Sequence, residues 1–289
     1  RLSNHSAEPY VDINPVDAKH YQLEQGMLVS VDSVEGSAVV RVSINDAQQR
    51  GTLFAPMHWN EQFASSGCIN CAISAKCDPI SGQPEFKQSA VNISPYKTEW
   101  YGFLLSRREL QDQFENGLSS YWSRSRGMDI WRYQLAGDIG VESWSDSARK
   151  ILCSHEIDVG WIEYFDPASK QYRAARMVDG KLESCLYIGP DHQLPNHEWI
   201  EPLFAKDVIN SEERIALLSG KPAFETDDVG PVVCACHGVG KKQIIEAIEN
   251  RKASTVEELG ELLNAGTNCG SCVPEIRALV NGNIYLANS

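Results

Sequence analysis

Four cysteines near the end of the chain constrain its folding more than any other feature. Cys234-Ala235-Cys236 is followed, 32 residues later, by Cys269-Gly270-Ser271-Cys272. Thiols in two tight pairs act jointly only if the intervening segment folds back and brings the pairs together. Four thiolates can enclose a small inorganic centre. A two-iron, two-sulfide cluster takes four Cys ligands, and tetrahedral zinc accepts the same four. The one-residue gap in the first pair is less usual for zinc, whose ligand pairs favour two to four intervening residues. Four inert, buried thiols are the bland alternative. Gly238, Gly266 and Gly270 leave backbone N–H groups free to approach sulfur, which raises a reduction potential. Pro274 puts a helix N-terminus directly after Cys272, and its positive end favours an anionic centre.

The other five cysteines, Cys68, Cys71, Cys77, Cys153 and Cys185, make nine in a chain of 289 residues. An odd number at irregular spacing, in a chain long enough to build a core, does not read as a disulfide framework. It points to a reducing compartment. Cys68-Ile69-Asn70-Cys71 with Cys77 and His58 offers a second zinc reading, but free thiols behaving as small buried hydrophobes account for these residues more simply. Cys153 and Cys185 need no chemical role. His5, His155, His192 and His197 show no metal-ligand spacing. With 26 Lys+Arg against 39 Asp+Glu the net charge is −13, and no basic run supplies the clustered cations a nucleic-acid surface needs. No apolar run approaches the ~20 residues that span a bilayer. Phosphate-loop, Rossmann and Gly-x-Ser-x-Gly patterns are missing as well.

The texture of the chain changes along its length, giving a multidomain α+β expectation. Residues 1–96 read as β-rich with one short helix, started by Asn14-Pro15 and stopped by Gly26 after Leu23. Residues 27–31 and 38–42 are β-branched runs about a turn at Glu35-Gly36. Gly82-Gln83-Pro84 makes another turn, and residues 90–93 make a last short strand. Residues 97–220 are dense in Trp and Tyr and read as a mixed α/β region whose aromatics fill a core, with strands over 161–164 and 182–188. A linker at 221–231 precedes a compact all-helical unit, 232–289. Its helices run from Lys241 to Asn250, from the capping box Ser254-Thr255-Val256-Glu257 through Leu263, and from Pro274 through Val280.

At the cysteines a resemblance becomes specific. Residues 233–240, Val-Cys-Ala-Cys-His-Gly-Val-Gly, together with 265–276, Ala-Gly-Thr-Asn-Cys-Gly-Ser-Cys-Val-Pro-Glu-Ile, resemble the bacterioferritin-associated-ferredoxin-like domain. The copies most alike close assimilatory nitrate reductases and occur in NADH-dependent nitrite reductases. The resemblance implies a small helical fold binding a 2Fe-2S cluster through Cys234, Cys236, Cys269 and Cys272. Two stretches of residues 1–95 resemble the molybdopterin-dinucleotide-binding domain of molybdenum oxidoreductases. They are Val11-Asp12-Ile13-Asn14-Pro15 with Gln25-Gly26-Met27, and Ala55-Pro56-Met57-His58-Trp59 with Asn70 and Asp78-Pro79-Ile80-Ser81-Gly82-Gln83-Pro84-Glu85-Phe86-Lys87. That resemblance implies a double-psi β-barrel, with Trp59, Asn70 and Lys87 on the cofactor and His58 a weaker contact.

Both resemblances in one chain, with Arg214 to Ala223 between them, imply the catalytic subunit of an assimilatory, cytoplasmic nitrate reductase. The cofactors implied are a molybdenum bis(molybdopterin guanine dinucleotide) and a 2Fe-2S relay. The donor implied is an NADH-linked flavoprotein, ferredoxin or flavodoxin. In that family a 4Fe-4S motif and the molybdenum ligand precede the region present here. The expectation is therefore a C-terminal portion without a catalytic residue of its own and inactive alone. Another molybdopterin oxidoreductase, acting on a different oxyanion or on formate, is the nearest alternative, and a stand-alone 2Fe-2S electron-transfer module the next.

Overall fold

The computed structural model describes residues 8–86, 89–110, 119–127, 129–153, 160–223, 230, 232–234 and 236–287, with side chains given through residue 282. The chain forms two compact units, Arg1–Ala223 and Phe224–Ser289.

The first unit opens with a five-stranded sheet: β1 (Tyr10–Ile13), β2 (Leu28–Asp32), β3 (Ser37–Ile44), β4 (Leu53–Phe54) and β5 (Asn92–Pro95), in the order β4-β1-β3-β2-β5. β1 and β3 are parallel, so the chain must cross over between them, and α1 (Pro15–His20) with β2 makes that crossing. Asn14 caps α1 by accepting the Val16 amide at 2.9 Å, with Pro15 at the first helical position. The helix stops at His20, earlier than the sequence suggested, because Gln22 turns left-handed at φ 56°. Gly26 serves instead in the turn into β2, where its amide donates to the Val42 carbonyl.

The second sheet of this unit contains β6 (Trp100–Ser106), β7 (Tyr121–Arg126), β8 (Trp131–Gly137), β9 (Gly160–Asp166), β10 (Gln171–Val178) and β11 (Lys181–Gly189). Its order is β7-β8-β6-β11-β10-β9, with every neighbouring pair antiparallel. The region mixes these strands with helices, and its strands are antiparallel throughout. The links from β7 to β8, β9 to β10 and β10 to β11 are tight turns, too short for the crossover that parallel neighbours require. Side chains alternate across the sheet. Leu104, Leu186 and Ile188 pack with Ile151 and Leu152 of α2 (Trp144–Cys153). Phe103, Leu105, Cys185 and Tyr187 pack on the opposite face with Leu217 of α3 (Ser211–Ser219). Burial on both faces explains why β6 reads as an unbroken run of buried positions. Trp100, Tyr121, Trp122, Tyr133 and Tyr172 are core residues, whereas Tyr164 and Phe165 on β9 are exposed.

The two sheets share a hydrophobic cluster of Leu28, Val39, Tyr101, Tyr121 and Ala136. Arg41 of β3 pairs with Glu8 at 2.7 Å, and the Tyr121 hydroxyl donates to the same carboxylate at 3.2 Å.

The second unit contains β12 (Val232–Cys234), β13 (Val239–Gly240), α4 (Lys241–Glu249), α5 (Val256–Leu263) and α6 (Val273–Ala287). It is therefore not all-helical. Val232 and Cys234 pair antiparallel with Gly240 and Val239 across a turn in which Gly238 takes φ 65°. The cap of α5 sits one residue later than its sequence signature. Thr255 accepts the Glu258 amide at 3.1 Å, and the Glu258 carboxylate reaches back to the Ser254 amide at 2.6 Å. Ile244, Ala247, Leu259, Ile276 and Val280 close a small core between the helices. Among the described residues, no helix is long and apolar enough to cross a membrane.

Candidate metal centre

Local structure delivers the four thiols of the second unit to one place. Cys234 ends β12, and Cys236 lies in the turn to β13, fixed by the His237 amide donating to the Cys234 carbonyl at 3.3 Å. Cys269 and Cys272 occupy the loop between α5 and α6. There Gly266 (φ 83°) and Gly270 (φ 74°) adopt left-handed backbone that favours glycine. Cys272 immediately precedes α6, and its carbonyl accepts the Ile276 amide at 2.9 Å. The helix N-terminus expected at this position is present.

The thiols meet as two pairs, each drawing one cysteine from each segment. The Cys236 and Cys269 sulfurs are 3.3 Å apart, and Cys272 lies close enough to Cys234 for that sulfur to raise its thiol. The pairs differ in environment. Cys234 and Cys272 are 2% and 7% exposed and belong to the small core, whereas Cys236 and Cys269 face solvent. Hydrogen bonds from the Ser271 hydroxyl and amide, with a contribution from Cys236, hold the Cys269 thiol down at about 7. Its contact with Cys269 pushes the Cys236 thiol up. Burial, then the nearby Cys234 sulfur, raises Cys272, opposed by the Gly266 amide. Two pairs of sulfurs suit two irons, each taking two thiolates in a 2Fe-2S cluster. Among the described residues, no group of three His, Cys, Asp or Glu side chains is disposed to hold a single metal ion.

Sequence reasoning missed the part of Ser271. Its hydroxyl lies 2.8 Å from the Cys269 sulfur, and the only signal was a polar residue lodged between two ligating candidates.

The residues singled out in the first unit are partly gathered. Trp59 is buried, its indole N–H has no hydrogen-bond partner among the described residues, and His58 stacks beside it with ring centroids 5.7 Å apart. The Asn70 amide donates to the Met57 carbonyl at 3.3 Å, tying it to the same segment. Lys87 lies outside the described residues, as do His5 and His155.

Cys68, Cys71 and Cys77 are not buried hydrophobes. Cys68 is half-buried, while Cys71 and Cys77 are exposed. A 3₁₀ turn at Ile69–Ala72 points Ile69 and Ala72 inward and leaves Cys71 outside. That turn packs on the β2–β3 hairpin, where only a glycine fits at position 36, since a Cβ there would lie 2.6 Å from the Cys71 carbonyl oxygen. With His58, these cysteines form no three-residue metal group.

Comparison with known proteins matches both ends. Residues 1–90 fit the family described as Molydopterin dinucleotide binding domain, and residues 232–281 fit the BFD-like 2Fe-2S binding domain. The chain is 36% identical over 287 residues to the nitrate reductase of Klebsiella oxytoca, covering 99% of this chain and 32% of that protein. It is 34% identical over 88 residues to the assimilatory nitrate reductase catalytic subunit of Bacillus subtilis, covering 30% of this chain and 12% of that protein. Formate dehydrogenase H of Escherichia coli is 30% identical over 86 residues, covering 30% of this chain and 11% of that protein. The chain thus spans about a third of the length of the Klebsiella relative and less of the other two. In the pterin-binding domain the orphaned Trp59 donor suits a polar ligand. In the 2Fe-2S domain the paired thiols and the amides aimed at them suit two irons.

Proposed function

We propose that this chain works within a molybdenum nitrate reductase of the assimilatory, cytoplasmic type, which converts nitrate to nitrite and water with two electrons and two protons. One observation carries the reading. Similarity to the Klebsiella nitrate reductase runs along 99% of the chain, including the antiparallel sheet that neither domain family covers.

When bound, a molybdenum bis(molybdopterin guanine dinucleotide) supplies oxygen-atom transfer, and a 2Fe-2S cluster supplies one-electron storage. This chain's residues bind and orient those groups. Cys234, Cys236, Cys269 and Cys272 hold the two irons, and the Gly266 and Ser271 donors steady the sulfur charge. Trp59 offers a ring face and an unpartnered N–H, Asn70 an amide edge, and His58 a flanking ring. Lys87 supplies a cation to phosphate or pterin oxygen. The domain carrying them is a double-psi β-barrel, supported by the parallel β1–β3 pair within an otherwise antiparallel sheet. A 4Fe-4S cluster belongs elsewhere in the parent enzyme. The electron donor, an NADH-linked flavoprotein, ferredoxin or flavodoxin, docks where Cys236 and Cys269 reach the surface.

The similarity to formate dehydrogenase H supports a second reading, a molybdopterin oxidoreductase acting on formate or another oxyanion. Assays with viologen dyes separate the two. The molybdenum-loaded parent protein is expected to oxidise reduced viologen with nitrate and to leave formate untouched, while residues 1–289 alone turn over neither. Formate oxidation without nitrate reduction by the parent favours the second reading. Nitrate turnover by the chain alone overturns the assignment of catalysis to other parts of the parent.

A further inference from the structure

The Ser271 hydroxyl is 2.8 Å from the Cys269 sulfur, and by distance alone either atom could donate. Coordination removes that ambiguity. A cysteine bound to iron is a thiolate without a proton, so the hydroxyl must donate to sulfur. Resting on the reading that the four cysteines hold a 2Fe-2S centre, we infer that Ser271 is a positioning residue that raises the reduction potential of that centre through the Cys269 sulfur.

Adding one electron to the centre adds one negative charge, shared by the irons and their sulfurs. A hydrogen bond to a charged acceptor is roughly twice as strong as one between neutral groups. Its strength grows with the charge on the acceptor, so the bond stabilises the reduced form more than the oxidised form. Hydrogen bonds to cluster sulfurs are among the determinants that set such potentials. The bond acts on one side of the site only. Cys269 is in the exposed pair with Cys236, whereas Cys234 and Cys272 are buried. The hydroxyl is held for the task by position, since Ser271 lies between two ligands in a loop closed by the Val273 amide donating to the Gly270 carbonyl at 3.1 Å.

The test is a redox titration of the full 289-residue chain, reconstituted anaerobically with iron and sulfide and reduced stepwise with dithionite. Midpoints are read from visible absorption and from the paramagnetic signal of the reduced form. Ser271→Ala and Ser271→Gly, which remove the hydroxyl, are expected to keep two irons per chain and to titrate at lower potential. Ser271→Thr, which keeps it, is expected to return to the wild-type midpoint. Equal midpoints in wild type and hydroxyl-free variants of equal iron content overturn the inference. Loss of iron from both hydroxyl-free variants overturns it too, because Ser271 then maintains the loop and does not set the potential. A wild-type chain that takes up no two-iron centre defeats the underlying cluster reading, an outcome separable from the other two by its iron content.

Discussion

The two compact units keep their structure by different means. Residues 1–223 bury apolar surface on both faces of a six-stranded sheet and against a second sheet. Full burial of one large aliphatic side chain contributes ~1.5–3 kcal/mol, and this unit contains dozens of buried apolar residues. Residues 224–289 have a core of about ten buried side chains, two of which are Cys234 and Cys272. A domain this small leaves much of its surface exposed and is marginal without a staple. The lesson is that thiols placed inside a small core make metal binding and folding one process, whereas a large sheet core needs no such help.

The largest expected effect tests that difference directly. Cys234→Ala is expected to abolish two-iron loading and the visible absorption, and to loosen residues 224–289 as read by amide hydrogen exchange. Protection of β6 and β11 is expected to stay unchanged. Equal protection of α4 and α6 with and without iron would break the comparison.

Next comes the core of the larger unit. Leu186 is fully buried among Leu104, Leu135 and Ile151, and Leu186→Ala is expected to cost ~2–5 kcal/mol by removing contacts and leaving a cavity. Denaturant unfolding followed by Trp fluorescence measures it, and the cluster absorption of the variant should match wild type.

A smaller effect is expected at the start of α3. Asn210 accepts the Glu213 amide at 2.9 Å, while the Glu213 carboxylate accepts the Asn210 amide at 3.0 Å. Asn210→Ala is expected to cost about 1 kcal/mol, read in the same unfolding experiment. Asn210→Asp, which keeps an acceptor, should recover most of it.

The smallest concerns pH. Burial opposes ionisation of Glu201, but the His197 ring 3.5 Å away and the hydrogen bond from Arg132 outweigh it and hold the carboxyl below its usual range. A carboxyl depressed in the folded state stabilises above its unfolded pKa, and that stability is lost as pH falls through the folded value. The unfolding midpoint of the larger unit should therefore decline below about pH 4, with a shallower decline in Glu201→Gln. Parallel declines in the two proteins would remove Glu201 from the account.

Much of this was legible in the residues themselves. Asn14-Pro15 started a helix, Glu35-Gly36 turned a hairpin, and the spacing of Ile244 and Ile248 gave one helical face, because caps, turns and periodicity act over a few neighbours. The end of α1 and the frame of the α5 cap were misjudged by one to three residues. There Gln22 took a conformation that side chains rarely adopt, and Thr255 displaced Ser254. The exposure of Cys71 was not legible either, since a one-turn helix decides which of Cys68, Cys71 and Ala72 faces inward.

By itself the sequence determined that four thiols stand in two doublets and that helices separate them, since both follow from local spacing. Tertiary structure alone decided that each spatial pair takes one cysteine from each doublet, and that one pair is buried while the other faces water. It also decided the strand order of the central sheet. Pairing over long separations depends on which faces pack together, and short-range residue preferences carry no record of that choice.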